Sequence, residues 1–113
     1  METQQRRGLF PGALEMMILQ TLRAGPLHGY AIAQHIQQAS DELLQIEEGT
    51  LYPALQRLLL EGWVEAEWGI SQTNRRVRIY KVTAAGRKKL QCEMSSFERM
   101  LNGINRVMRP SES

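Results

Sequence analysis

The sequence predicts a mostly α-helical fold interrupted by a single β-hairpin. Three observations carry this. Apolar residues recur at helical spacing over 12–24, 29–38 and 50–61. After Gly62 the period changes to two, and a second β-branched and aromatic run follows at 76–82. A last helical stretch then keeps a narrow apolar seam from Leu90 to Met108.

The first helix has Leu14, Met17, Ile18, Thr21 and Leu22 on one face and stops at Gly25-Pro26. The second places Ile32, Ala33 and Ile36 inward and Gln34, Gln37 and Gln38 outward. The connector "SDELLQIEEG" (40–49) is expected to plug the core with Leu43, Leu44 and Ile46.

The third helix, within "EEGTLYPALQRLLLEG" (47–62), aligns Leu51, Leu55, Leu58 and Leu59. Pro53 sits inside this run. Proline is tolerated in a first helical turn, where an N–H has no intrahelical partner to lose. Thr50 is the candidate N-cap, so Pro53 falls third and the helix runs to about Glu61, ended by Gly62. Pro53, Gln56 and Arg57 then point away from the leucines, with Tyr52 at the border. Free N–H groups, a hydroxyl, a phenol and a guanidinium at one exposed end suit phosphates and base edges.

Residues 63–68, "WVEAEW", set Val64, Ala66 and Trp68 against Trp63, Glu65 and Glu67. The polar loop "GISQTNR" (69–75) joins them to "RVRIYKV" (76–82) as an antiparallel hairpin. Trp63 and Trp68 are expected to cover the core. Thr83 is the candidate N-cap of the last helix, along which Leu90, Met94, Phe97, Leu101, Ile104 and Met108 follow at spacings of 4, 3, 4, 3 and 4. A heptad-like seam on an otherwise polar helix predicts a partner helix, with packing on its own domain as the alternative.

The net charge of +2 says little, but its distribution says more. Residues 41–67 hold seven acids and one base, whereas 71–89 hold seven bases and no acid. A local basic block is a candidate footprint for phosphates, or else a solvated face. No apolar run approaches the roughly 20 residues that span a bilayer. The opening "METQQRRGLFPG" lacks a secretory h-region, and the lone Cys92 has no internal disulfide partner, so a cytoplasmic protein is expected. Neither a metal site nor a cofactor is expected, because His35 has no ligand spacing with Cys92 or His28. No paired carboxylates, nucleophile elbow or P-loop is present, so an enzyme is not expected.

The order helix, helix, helix, hairpin, helix is that of a winged helix-turn-helix followed by a C-terminal dimerisation helix. The chain is expected to divide into a flexible N-terminus (1–11), a winged-helix domain (12–82), the dimerisation helix (83–108) and a flexible tail (109–113). His28 and Tyr30 open the second helix, where contact with a phosphate and a capping or packing role are both open.

The residues resemble the PadR family of bacterial transcriptional regulators. The resemblance rests on "HGY" (28–30), "GTLYPAL" (49–55), "RL" (57–58), Gly62, Trp68, "NRR" (74–76), Tyr80 and "VTAAGRKKL" (82–90). It covers roughly residues 12–90 and is nearest the short-tailed subfamily with one C-terminal helix. It implies a homodimeric repressor on a pseudo-palindromic double-stranded DNA operator, with a small-molecule effector left open. It implies that Thr50, Tyr52, Pro53 and the wing bases lie at the DNA; with the residues read above, the expected DNA-binding set is His28, Tyr30, Thr50, Tyr52, Pro53, Gln56 and Arg57 with the wing residues Asn74, Arg75, Arg76 and Arg78. The implied dimer contacts are Leu90, Met94, Phe97, Leu101, Ile104 and Met108. Drug-binding members stack planar ligands on a tryptophan of the last helix, which this chain lacks. The alternative reading is a winged-helix module that binds another protein without specific DNA binding.

Overall fold

The computed structural model describes residues 12–109; of the expected flexible ends, 1–11 and 109–113, all but Arg109 lie outside them. Among the described residues four helices and three strands follow in the order α1 (Ala13–Arg23), β1 (Leu27–His28), α2 (Gly29–Ala39), α3 (Glu48–Leu60), β2 (Val64–Ile70), β3 (Arg76–Val82) and α4 (Ala84–Met108). The fold class read from the sequence is the one observed. The two-residue β1 is an addition. It pairs antiparallel with β3, Leu27 opposite Tyr80 and His28 opposite Ile79, giving a sheet ordered β1-β3-β2. Two residues are too few to display a period, so no alternation betrayed the strand.

One core joins all the helices to the sheet. Ile18, Leu19 and Leu22 of α1, Ile32 of α2, Leu51, Leu55 and Leu58 of α3, and Leu90 of α4 are fully enclosed, with Val64, Tyr80 and Val82 closing the sheet side. Leu44 and Ile46 pack against this core from the connector as expected. Leu43 does not: it is 84% exposed. Asp41 and Glu42 both adopt positive φ just before it, which takes the connector out of any simple alternation.

α3 begins three residues earlier than expected. Glu47, not Thr50, is its N-cap, and the Leu51 N–H already returns to the Glu47 carbonyl at 2.8 Å. Pro53 is therefore the sixth helical residue, beyond the first turn. It removes the bond that would return to the Gly49 carbonyl, a cost the helix bears on its exposed side. The C-terminus ends as expected at Gly62. Its positive φ lets its N–H reach the Leu59 carbonyl, while the Trp63 N–H reaches Leu58, a Schellman closure.

α4 is fixed to this corner. Thr83 caps it, its Oγ1 accepting from the Gly86 N–H at 3.0 Å and donating to the Gly62 carbonyl at 2.8 Å. A Cβ at Gly86 would collide with the Trp63 carbonyl oxygen, which explains a glycine inside a helix. Lys89 lies over the Trp63 ring at 4.7 Å and pairs with Glu93 at 2.8 Å, and that bond raises its pKa above the ordinary lysine value. Trp63 thus covers the core edge, as expected.

Candidate nucleic-acid interface

α3 buries Leu51, Leu55 and Leu58 and shows Gly49, Tyr52, Pro53, Gln56 and Leu60 to the outside. Its N-terminus differs from the expected phosphate cradle. The entry carries the carboxylates of Glu47 and Glu48, and the Thr50 N–H is engaged with the Glu47 carbonyl. Thr50 is half-buried inside the helix. Anion binding at the helix tip is therefore disfavoured, and the polar surface of α3 lies along its side.

Tyr52 is 42% exposed and leans on the start of α2. A Cβ built on Gly29 would fall 2.8 Å from both Cε1 and Oη of Tyr52. Partial burial, the Glu48 carboxylate and Tyr80, in that order, raise its pKa above 10.0. His28 is the N-cap of α2: its Nδ1 accepts from the Ala31 N–H at 3.3 Å. Capping occupies one ring nitrogen and leaves Nε2 for another partner. Tyr30 beside it is exposed.

Arg57 points outward, as the helical wheel places it, and pairs there with α1. Both its Nε and Nη2 bond Glu15 Oε2 of α1, at 2.9 and 2.6 Å. The helical wheel placed it outward but could not see α1 crossing there. Its charge is already matched, which counts against the expected place at a phosphate.

The hairpin turns at Ser71. The Asn74 N–H bonds the Ser71 carbonyl, the Ser71 N–H bonds the Arg75 carbonyl, and Asn74 takes φ +63°. Asparagine tolerates this left-handed conformation better than most residues, so its expected place in the wing has a conformational reason. Arg75, Arg76 and Arg78 are exposed. Trp68 departs from expectation: it is 57% exposed and covers no core. The sheet face that carries Val64, Ala66, Tyr80 and Val82 outlasts the helices beneath it. Its outer half carries Trp68 directly across from Arg78, and Ile70 across from Arg76. The guanidinium carbons of Arg76 and Arg78 lie 4.4 and 5.5 Å from the Trp68 ring centroid. Period two predicted the face correctly but not where the core ends.

The apolar seam of α4 divides. Leu90 is buried in the chain's own core, a correction to its expected place between chains. Met94 borders an apolar groove of about 320 Å³ with Met17, Ile36 and Leu44. Phe97 and Ile104 are half-buried, and Leu101 and Met108 are exposed. Cys92 is an exposed free thiol. Among the described residues no helix is long and apolar enough to cross a membrane.

Three helices on a small sheet, with a basic hairpin extending past the core, define a winged helix-turn-helix protein. The transcriptional regulator PadR-like family model matches residues 18–92, and the chain belongs to that family. A transcriptional regulator from Clostridium thermocellum superposes with a TM-score of 0.80 at 31% identity, covering 88% of this chain and 96% of that one. A PadR family transcriptional regulator from Eggerthella lenta gives 0.74 at 27% identity, covering 89% and 86%. The negative transcriptional regulator PadR of Bacillus subtilis is 29% identical over 77 residues, 68% of this chain but 42% of that protein. By family and structure this chain is a transcriptional regulator, a class that is not enzymatic.

Proposed function

We propose that this regulator binds a pseudo-palindromic DNA operator as a homodimer and represses transcription there. The observation that carries the reading is the pairing of two exposed features on one core. One is the side of α3 presenting Tyr52, Pro53 and Gln56; the other is the wing with Arg75, Arg76 and Arg78. A helix of this length fits the major groove, and flanking arginines suit the adjacent backbone or minor groove. In this reading His28 and Tyr30 lie at the phosphates beside α3, and Thr50 supports α3 from inside. Repression is supported by the name of the Bacillus subtilis relative.

The dimer reading rests on the distal part of α4, where Leu101, Ile104 and Met108 extend the seam past the core. Two copies joined there carry two α3 helices, which a palindromic site requires. The apolar groove beside Met94 supports a site for a small-molecule effector.

The test is a mobility shift with DNA from upstream of the protein's own coding region, titrated with salt. Specific retardation that weakens linearly in log salt supports the regulator. Equal, weak retardation of all fragments, with capture of an acidic protein by the wing, supports the protein-binding alternative.

A further inference from the structure

We propose that Trp68 is a positioning residue for DNA binding: its indole holds Arg76 and Arg78 extended and ready on the wing. The inference rests on the reading of the wing as a DNA contact. Its physical basis is independent of family. A large aromatic ring over half exposed gains little from burial, so its place needs another reason. Both arginines approach the ring, one from the directly opposed position and one from the next pair along the same face. An indole face is the strongest aromatic partner for a guanidinium.

The acids nearest in sequence, Glu65 and Glu67, stand on the other face of β2. Among the described residues neither arginine has an ion pair, in contrast to Arg57 with Glu15. A carboxylate partner would hold these side chains as well, but it would cancel the charge offered to a phosphate. The indole restrains them and leaves the charge in place. Less side-chain freedom is then lost when DNA arrives. With their central carbons over the ring, the guanidinium groups still have N–H donors for phosphate oxygens.

The test uses the full chain and a 30-base-pair duplex of mixed sequence, because backbone contacts need no operator. Affinity is measured over a salt series for the wild type, Trp68→Leu, Trp68→Phe, Arg76→Ala/Arg78→Ala, and the triple variant with Trp68→Leu. Thermal melting confirms that each folds. The double arginine variant should lose affinity, and its slope in log salt should fall by about 2. Trp68→Leu should bind roughly three- to tenfold more weakly with its slope unchanged, since both charges remain. Trp68→Phe, which keeps a π face, should recover part of the loss. In the arginine-free background Trp68→Leu should have no further effect. An equal loss in both backgrounds means that the indole touches DNA itself, and overturns positioning. Wild-type affinity for Trp68→Leu beside a weakened arginine variant also overturns it while leaving the wing reading intact. Wild-type affinity and slope for the arginine variant overturn the wing reading and the proposal together.

Discussion

The phenol of Tyr52 occupies the space that a side chain at Gly29 would need, with Cε1 and Oη both 2.8 Å from where its Cβ would stand. The two halves of the sequence pattern, "HGY" and "GTLYPAL", are thus one contact. It ties the exposed side of α3 to the start of α2. Gly29→Ala should force the ring outward at a cost of about 1 kcal/mol, since the ring is at the surface and able to swing. Urea unfolding of Gly29→Ala, Tyr52→Ala and the double variant checks this. The double variant should lose less than the two single losses added, because both remove the same contact.

The hydroxyl of Tyr52 separates binding from packing. Tyr52→Phe keeps the ring against Gly29, so melting at neutral pH should barely change. Operator affinity should fall by ~1 kcal/mol if the hydroxyl bonds DNA. Equal losses in stability and binding would make Tyr52 a packing residue only. The same variant has a pH signature. The Tyr52 pKa is raised in the folded state, by partial burial first and then by Glu48 and Tyr80. The folded state therefore holds the proton more tightly. The resulting stabilisation is full below the unfolded value, about 10. It is lost as pH rises through the folded value. Wild type should lose stability relative to Tyr52→Phe as pH rises above about 10 and through the folded value, read as the difference between their denaturation midpoints.

At the α4 corner, Thr83 Oγ1 serves the Gly86 N–H and the Gly62 carbonyl together. Thr83→Ala should cost about 1–2 kcal/mol, the upper range for loss of an N-cap. Gly86→Ala should cost about 3 kcal/mol or more, because its Cβ meets the Trp63 backbone rather than a yielding side chain. Chemical denaturation of the two variants gives the order.

The salt dependence of DNA binding discriminates among the arginines. Arg75→Ala should reduce the slope of log K against log salt by about 1. Arg57→Ala should reduce it less, since Glu15 already matches that charge. Its effect on stability should stay below about 1 kcal/mol, as for other exposed ion pairs. Filter binding over a salt series reads both slopes.

These residues show what the sequence disclosed. The apolar periods of α1, α2 and α3 located the core, and Thr83 located the start of α4, because caps and amphipathic faces are local. Arg57 faces outward as its helical position predicts, but its pairing with Glu15 was not legible because the two residues lie 42 positions apart. Trp68 was misread because periodicity assigns a face but not the edge of the core. Leu90 was counted with the seam for the same reason: one apolar stripe serves the chain's own core at one end and lies open at the other. Pro53 pointed correctly to the early part of a helix, but Thr50 was too persuasive a cap to leave Glu47 in view.

On the proposed reading, the distal seam of α4 joins two copies. Leu101→Asp should place a carboxylate without a partner between two copies, at a cost of several kcal/mol. It should sediment as a folded monomer and lose the operator, whereas Asn102→Asp should remain dimeric. A dimeric, operator-competent Leu101→Asp protein would move the interface elsewhere.

The most direct measurement is a hydroxyl-radical footprint on DNA fragments selected by the purified protein. Two α3 helices on one dimer should protect two patches on one face of the duplex, about 10 base pairs apart centre to centre or a multiple of that spacing, with flanking protection by the wings. A selected fragment with no protection, or with a single unpaired patch, would contradict the reading of this chain as a dimeric, operator-binding regulator.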